Sequence, residues 1–529
     1  MDLRVSGIMV PAGEGEAAMA SRIASILEVS IESIVSLKIV RKSLDARRHR
    51  PPHFVYVVDV SVKDDVCPVQ GIHKEIHIEA APKEKLPSYS VGTIKPKMRP
   101  VIVGCGPAGL FAALTFVERG VSPLLLERGR TIPERVADVA AFWEKGVLNR
   151  ESNVQFGEGG AGTFSDGKLT SRVKNPRTAQ IKEALVDAGA PSEILTDAKP
   201  HIGSDSLRKV VINLRSLLAE RGCEFRFQSR MTDLCISGNR IEGIVVNGSE
   251  EIRTNHLILA SGQSAEDTYK KLHGHGVCLV PKPFAMGLRV EHPQELINAI
   301  QYGRWHDYPE LPPAEYFLTA KLTALNRSVY TFCMCPGGSV IGCSPEEGGV
   351  ITNGMSNCKR DGAHANSAVV VNVVPDDFKN AEGHPLEGLV FRRTWEEQAY
   401  RLGGRSYHAP AQRLMDFLQD RVGPLPGSTT FTPGVKAAPL CEALPIFMVK
   451  ALKEGFNHFE RKMRGFITGE AVLIGVETRT SSPVRIVRNP DGQSVNMSGL
   501  YPCGEGAGYA GGIISSPIDG IKIAESLAT

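Results

Sequence analysis

The 529-residue chain lacks any apolar run approaching the roughly 18 residues that a membrane span requires. Its opening stretch, MDLRVSGIMVPAGEGEAAMA, has neither a basic start nor a continuous apolar core, and it carries Glu14 and Glu16. A secretory signal is thereby excluded, an organelle transit peptide is disfavoured, and the cytosol is the expected address. The 11 cysteines are odd in number and include no Cys-x-x-Cys pair, so a reduced compartment is expected rather than a disulfide framework. Charge of one sign is missing too. The net charge is +3, and all of it arises in residues 1–100, which hold 15 Lys/Arg against 12 Asp/Glu. That is too little to argue for nucleic acid. No Ser-His-Asp order, HExxH or P-loop is present.

What is present is a strand, a glycine loop and a helix. Val101-Ile102-Val103 reads as a short buried strand, and it runs into Gly104-x-Gly106-x-x-Gly109 and an apolar helical stretch. Gly104 allows the tight turn, Gly106 admits a pyrophosphate close to the backbone, and Gly109 lets helix and strand approach. The helix N-terminus then faces the phosphates. Leu124 to Leu126 form a second strand that ends at Glu127, 18 residues after Gly109. An acid there accepts hydrogen bonds from an adenosine ribose and repels a 2′-phosphate, so FAD or NAD is expected and NADP is disfavoured at this particular site.

Two further segments favour FAD. Met231 to Ile236 and Ile241 to Val246 read as a β-meander feeding the strand Leu257-Ile-Leu259, which ends in Ala260-Ser-Gly262. Near the C-terminus, Gly499-Leu-Tyr-Pro-Cys503 is an apolar strand entering a second glycine loop, Gly504-Glu505-Gly506, and a helix is expected from about Pro517 to Leu527. The glycine-rich run from Phe156 to Lys168 offers free backbone N–H groups to a pyrophosphate or flavin edge.

The remaining segments set the domain expectations. Residues 1–81 read as a small ferredoxin-like α+β domain, with strands at 3–10, 34–40, 54–62 and 72–78 and a helix at 16–27. Its basic stretch from Arg41 to Arg50 is read either as an RNA or anion dock, or more plainly as a solvated hairpin end or one packed against the flavin lobe. The second reading is preferred, because no aromatic residues interleave the charges. Residues 82–99 read as a linker, 100–280 as the first part of a Rossmann-type FAD domain, 281–430 as an inserted α+β substrate-side domain without a second GxGxxG, and 431–529 as the return to the FAD domain. The fold class is α/β.

With VIVGCGPAGLFAAL, FGEGGAGTFSDGKL, PHIGSDSL, FAMGLRVEHP, FCMCPGG, TNGMSN, GVETRTSSPVRI and GLYPCGEGAGYAGG in hand, the chain resembles, over essentially its full length, the uncharacterised FAD-dependent dehydrogenases. These are related to glutathione-reductase-type flavoproteins. The resemblance implies FAD contacts at Gly104, Gly106, Gly109, Glu127, Met231 (through its backbone, to adenine), Gly262, Gly504, Glu505 and Gly506. Pro107, Ala108, Arg128, Gly159, Gly160 and Ala260 complete the expected cofactor set. For chemistry, Cys335 of Cys333-Met-Cys335-Pro-Gly-Gly is a candidate redox or nucleophilic thiol, and His201 a candidate acid. Buried reduced cysteines are the plainer reading of that block. Its spacing to Cys343 and Cys358 fits no usual zinc or iron–sulfur run, so no metal is expected. Lys168, Arg479 and Ser481 are candidate substrate ligands.

The expected function is hydride transfer between flavin N5 and a small substrate or redox partner, with NAD(P)H docking transiently. One alternative is an RNA- or protein-binding flavoprotein that uses the N-terminal domain for recognition. Another is a regulatory flavin-binding protein without turnover.

Overall fold

Val101–Val103 lies at the centre of a five-stranded parallel sheet, in the order Leu500–Pro502, Leu257–Leu259, Val101–Val103, Leu124–Leu126, Glu224–Arg226. The computed structural model describes every residue except 13, 15, 17, 18, 48, 49, 64–70, 74, 83–95, 97, 171–173, 381, 382 and 529. The expected linker therefore falls outside the described residues apart from 82, 96, 98 and 99. The three inner strands are apolar throughout because both faces are covered, whereas the edge strand Glu224–Arg226 carries two charges. Ile102, Leu125 and Ile258 face the helices Pro107–Glu118, Ser204–Glu220 and Gly512–Leu527. Val101, Val103, Leu124, Leu126, Leu257 and Leu259 face the meander Met231–Ser237, Arg240–Val246, Glu250–Arg253.

The C-terminal helix begins at Gly512, five residues before the expected Pro517. Pro517 instead lies inside it and is buried with Ile514 and Ser516, so packing of the first turn overrides the preference of proline for a helix start.

A second layer is a seven-stranded sheet in the order Thr319–Leu322, Arg327–Cys335, His364–Val373, Phe284–Pro293, Val472–Glu477, Ala409–Arg413, Val435–Ala437. Its central pair keeps unbroken antiparallel register from Phe284↔Val373 to Pro293↔His364. Val472–Glu477 is an interior strand of this sheet, between Phe284–Pro293 and Ala409–Arg413, and the helix Ile446–Lys462 packs on the sheet through Met448, Leu452, Phe456 and Phe459. The insert therefore runs well past residue 430, where the sequence reading closes it. The missed signal was a strand lying far along the chain from its partner Phe284–Pro293.

The N-terminal sheet has the order Ile34–Asp45, His53–Val62, Asp2–Pro11, Ile76–Ala80, Gly71–His73. The helix Met19–Leu27 covers it with Met19, Ile23 and Leu27. This keeps the split β-α-β of a ferredoxin-like sandwich. Its second helix is missing among the described residues, however, and a hairpin of Gly71–His73 with Ile76–Ala80 takes its place.

The basic stretch is docked. Lys42 exchanges backbone hydrogen bonds with Thr196 and Ala198 of the Rossmann lobe, at 2.9 and 2.8 Å. Asp45 accepts from Arg47 at 2.9 Å and from Arg50 at 2.7 Å, while Arg48 and His49 lie outside the described residues.

Helices Pro107–Glu118 and Gly512–Leu527 touch backbone to backbone at Gly520, where a Cβ would overlap the Ala108 carbonyl. Gly520→Ala should therefore cost about 1–3 kcal/mol, whereas Gly274→Ala, which meets nothing within 4 Å, should be neutral or slightly stabilising. Urea unfolding of the two variants checks this, and equal midpoints would remove the close-contact argument.

Candidate functional site

A cavity of about 520 Å³ opens at the C-terminal ends of the parallel strands and runs to the seven-stranded sheet, where open α/β sheets bind their ligands. At its near end, Glu127 closes the strand Leu124–Leu126 and is only 5 % exposed. Its carboxylate accepts the backbone N–H groups of Cys105 at 2.8 Å, Gly129 at 3.0 Å and Gly157 at 2.9 Å. Three loops are thus tied to one side chain, and a lone pair remains on Oε2 for a ribose hydroxyl. Arg128 lies beside it, held by Glu151 at 2.7 Å and stacked 4.1 Å over the Phe156 ring.

The middle of the cavity is a backbone cradle. Gly104 has φ +108°, and any Cβ there would overlap the Ala260 carbonyl. Gly106 and Gly160 face each other, so that a Cβ on Gly160 would lie 3.0 Å from Gly106 Cα. The helix Pro107–Glu118 starts behind Gly106 without a side-chain cap, and Gly512–Leu527 starts likewise behind Gly511. Two uncapped N-termini reach one cavity through Ala108 on one side and Ile513 and Ser516 on the other. Such termini attract anions. An acid for the ribose, a side-chain-free cradle and two uncapped helix ends form a donor set that fits the ribose and pyrophosphate of FAD.

The remaining expected cofactor residues divide by position. Gly106, Pro107, Ala108, Glu127, Arg128, Gly160, Met231, Ala260, Gly262 and Glu505 line the cavity with Gly104. Gly109, Gly159, Gly504 and Gly506 do not, and act through packing. A Cβ on Gly109 would overlap the Gly104 carbonyl, and one on Gly506 the Gly262 carbonyl. Gly159 donates its N–H to Cys105 at 2.9 Å, and Gly504 donates to Asp519 at 2.8 Å.

The far end joins the two layers through buried polar groups. Gln263 donates to the Arg479 carbonyl at 2.7 Å and to Glu505 at 3.0 Å, and it accepts from Arg392 at 3.3 Å. Arg479 pairs with Glu396 at 3.1 and 3.0 Å, Arg392 with Glu266 at 3.0 Å, and Arg289 with Glu477 at 3.0 and 2.8 Å. Burial pushes the Glu505 carboxyl up to about 7, against the charge of Lys282 and the Gln263 hydrogen bond.

Several chemical candidates fall elsewhere than expected. Cys335 is fully buried and off the cavity, whereas Cys333 lines it. A bulge between Phe332 and Cys335 separates the two, which strict strand alternation does not anticipate. His201 lies outside the lining, and its Nε2 is 2.9 Å from the Cys358 carbonyl. Burial, then the Arg360 charge, depresses its imidazole, which suits a neutral structural donor better than a charged acid. Lys168 does line the cavity, 3.8 Å from Asp166, which itself is held by Arg360. Arg479 lines it as well, but only Nη1 is left without a partner. Ser481 is outside the lining, and Thr480 takes its place. Gln263, Phe332, Cys333 and Glu477 were missed. Gln263 directly follows the Ala-Ser-Gly turn, and Glu477 precedes Thr478-Arg479, so adjacency to those motifs was the available signal.

Fold and cavity have the form of a Rossmann-type dinucleotide site, and residues 283–480 match the family described as FAD-dependent protein, C-terminal domain-like. Residues 3–61 match a domain of unknown function, DUF8436. The chain is 45 % identical over 530 aligned residues to an uncharacterized protein of Clostridium beijerinckii, covering all of this chain and 98 % of that one. It belongs to the same family as that protein. Among solved structures, it is similar to the flavin-dependent brominase Bmp2 (14 % identity, 81 % of this chain and 78 % of that one, TM-score 0.34). It is also similar to CtdE in complex with FAD (11 % identity, 80 % and 82 %, TM-score 0.31). Likeness at that level does not bear on this chain's chemistry.

Two outcomes are expected at the far end. Arg479→Leu strips the buried Glu396 of its bidentate partner and should destabilise by about 3–5 kcal/mol, read as a lower urea midpoint. Glu505 has a raised carboxyl, so the folded chain keeps a proton that the unfolded chain releases. Its contribution is complete below about 4.5, its ordinary value, and falls as pH rises towards about 7. Urea midpoints of flavin-free wild type should therefore drop relative to Glu505→Gln across that window. Parallel pH profiles would show that the Glu505 carboxyl is not raised in the folded chain.

Proposed function

We propose that this protein is a cytosolic FAD-dependent oxidoreductase acting on a small substrate, with NAD(P)H as a transient partner. One observation carries the reading. A single cavity joins the acid and glycine cradle of a dinucleotide site to a buried polar end formed by a second sheet. The match of residues 283–480 to FAD-dependent proteins supports FAD over NAD.

When bound, the flavin supplies a hydride-exchanging N5. The chain's own residues bind, orient and shield it. Glu127 takes the ribose hydroxyl, and the uncapped N–H groups near Ala108 and Ser516 neutralise the pyrophosphate. Gln263 is fixed by Arg392 on one side and by the Arg479 carbonyl on the other, so its carboxamide presents a set orientation to the ring end. Glu505, with its carboxyl near 7, is able to hold or release a proton there at neutral pH. Phe332 of the seven-stranded sheet and Thr352 of the separate strand Thr352–Ser356 line the far end.

Purified protein should be yellow, with flavin absorbance near about 450 nm, and should bleach anaerobically with NADH or NADPH. Glu127→Ala should weaken FAD binding at least roughly tenfold, about 1.4 kcal/mol, measured by recovery of flavin fluorescence on dilution. Protein that stays colourless after incubation with excess FAD would refute the reading.

A further inference from the structure

The strand Arg327–Cys335 ends at the far wall of the cavity in a distortion that concerns two cysteines. Its register against His364–Val373 breaks between Phe332 and Cys335. Cys333 takes up φ +46°, a left-handed conformation rare for a residue with a side chain and worth attention where it lines a site. The bulge turns Cys333 into the cavity, beside Phe332, Asn353 and Lys168. Cys335 is buried completely behind it, and its thiol donates to the Cys333 carbonyl at 3.3 Å. The Cys333 carbonyl also accepts from Arg289 Nη1 at 3.3 Å.

Two chemically unlike thiols result. The contact with the Cys335 side chain, with the Lys168 and Arg289 charges, lowers the Cys333 thiol against the cost of burial, favouring thiolate. The same contact and burial push Cys335 well up. An accessible thiolate with a shielded thiol directly behind it is the arrangement of an attacking and a resolving cysteine.

We infer that Cys333 and Cys335 form a dithiol–disulfide couple that exchanges electrons with the flavin at the substrate end of the cavity. This rests on the flavin reading given above. In the oxidising direction the Cys335 S–H bond is lost and one S–S bond forms between its sulfur and the Cys333 thiolate. The two electrons and the one proton pass to oxidised flavin, which becomes the reduced flavin anion. The reverse step cleaves the S–S bond and restores the Cys333 thiolate and the Cys335 thiol. Neither direction needs a further reactant.

The test uses the full-length, flavin-loaded protein, oxidised with diamide, freed of reagent and titrated anaerobically with dithionite. Peptide mass spectrometry without reductant runs in parallel on flavin-loaded and flavin-free samples. In wild type, the peptide spanning residues 333–335 should be lighter by about 2 Da, resist N-ethylmaleimide, and accept two electrons beyond the two that bleach the flavin. Cys333→Ser, at a partly exposed position, should retain its flavin and take up only two. Wild type that bleaches after the same two electrons as the variant, with both cysteines alkylated, would overturn the couple while leaving the flavin reading intact. Colourless protein would overturn both, and its missing flavin absorbance tells that failure from loss of the couple alone.

Discussion

The carboxylate of Glu127 holds the site together. Its three backbone donors come from the first glycine loop, from the turn after its own strand and from the glycine-rich run beyond Phe156. Each is a buried N–H that would otherwise lose its hydrogen bond, and an unsatisfied group of that kind costs about 1–3 kcal/mol. One side chain therefore sets the relative position of three loops that have no regular structure to position them. The cradle it forms works only because backbone meets backbone there. Gly104 against Ala260, Gly109 against Gly104 and Gly506 against Gly262 all leave no room for a side chain.

A different physics governs the opposite end of the cavity. Arg392 and Arg479 are each paired with a buried carboxylate at the seam between the Rossmann lobe and the seven-stranded sheet, and Arg289 is paired with Glu477 inside that sheet. Burying ions is costly unless partners and hydrogen bonds are well placed. These pairs are therefore poor sources of stability but strict specifiers of geometry. They fix Gln263 and the backbone around Arg479, and with them the shape presented to a ring. The same rigidity explains why Arg479, a plausible substrate ligand from sequence, is mostly committed to Glu396.

How far the sequence could be read depended on the range of the interaction. The Rossmann strand, its glycine loop and the acid at Glu127 are local, and each residue type there has one dominant physical reason. Helix starts were less legible. Proline at 517 marks a good start by propensity, but burial of Ile514 and Ser516 extends the helix to Gly512. Alternation along a strand puts Cys333 and Cys335 on one face and treats the two alike. The bulge that distinguishes them exists only where Arg327–Cys335 meets His364–Val373.

By itself the sequence determined the dinucleotide cradle, the buried parallel strands and the two glycine loops, because steric freedom and apolar patterning act within a few residues. The tertiary structure alone decided the extent of the insert, the far wall of the cavity and which cysteine faces it. Those features rest on pairs such as Gln263 with Arg479 and Arg289 with Glu477, whose members are 216 and 188 residues apart. Charge pairing and sheet register at such separations leave no periodic trace along the chain.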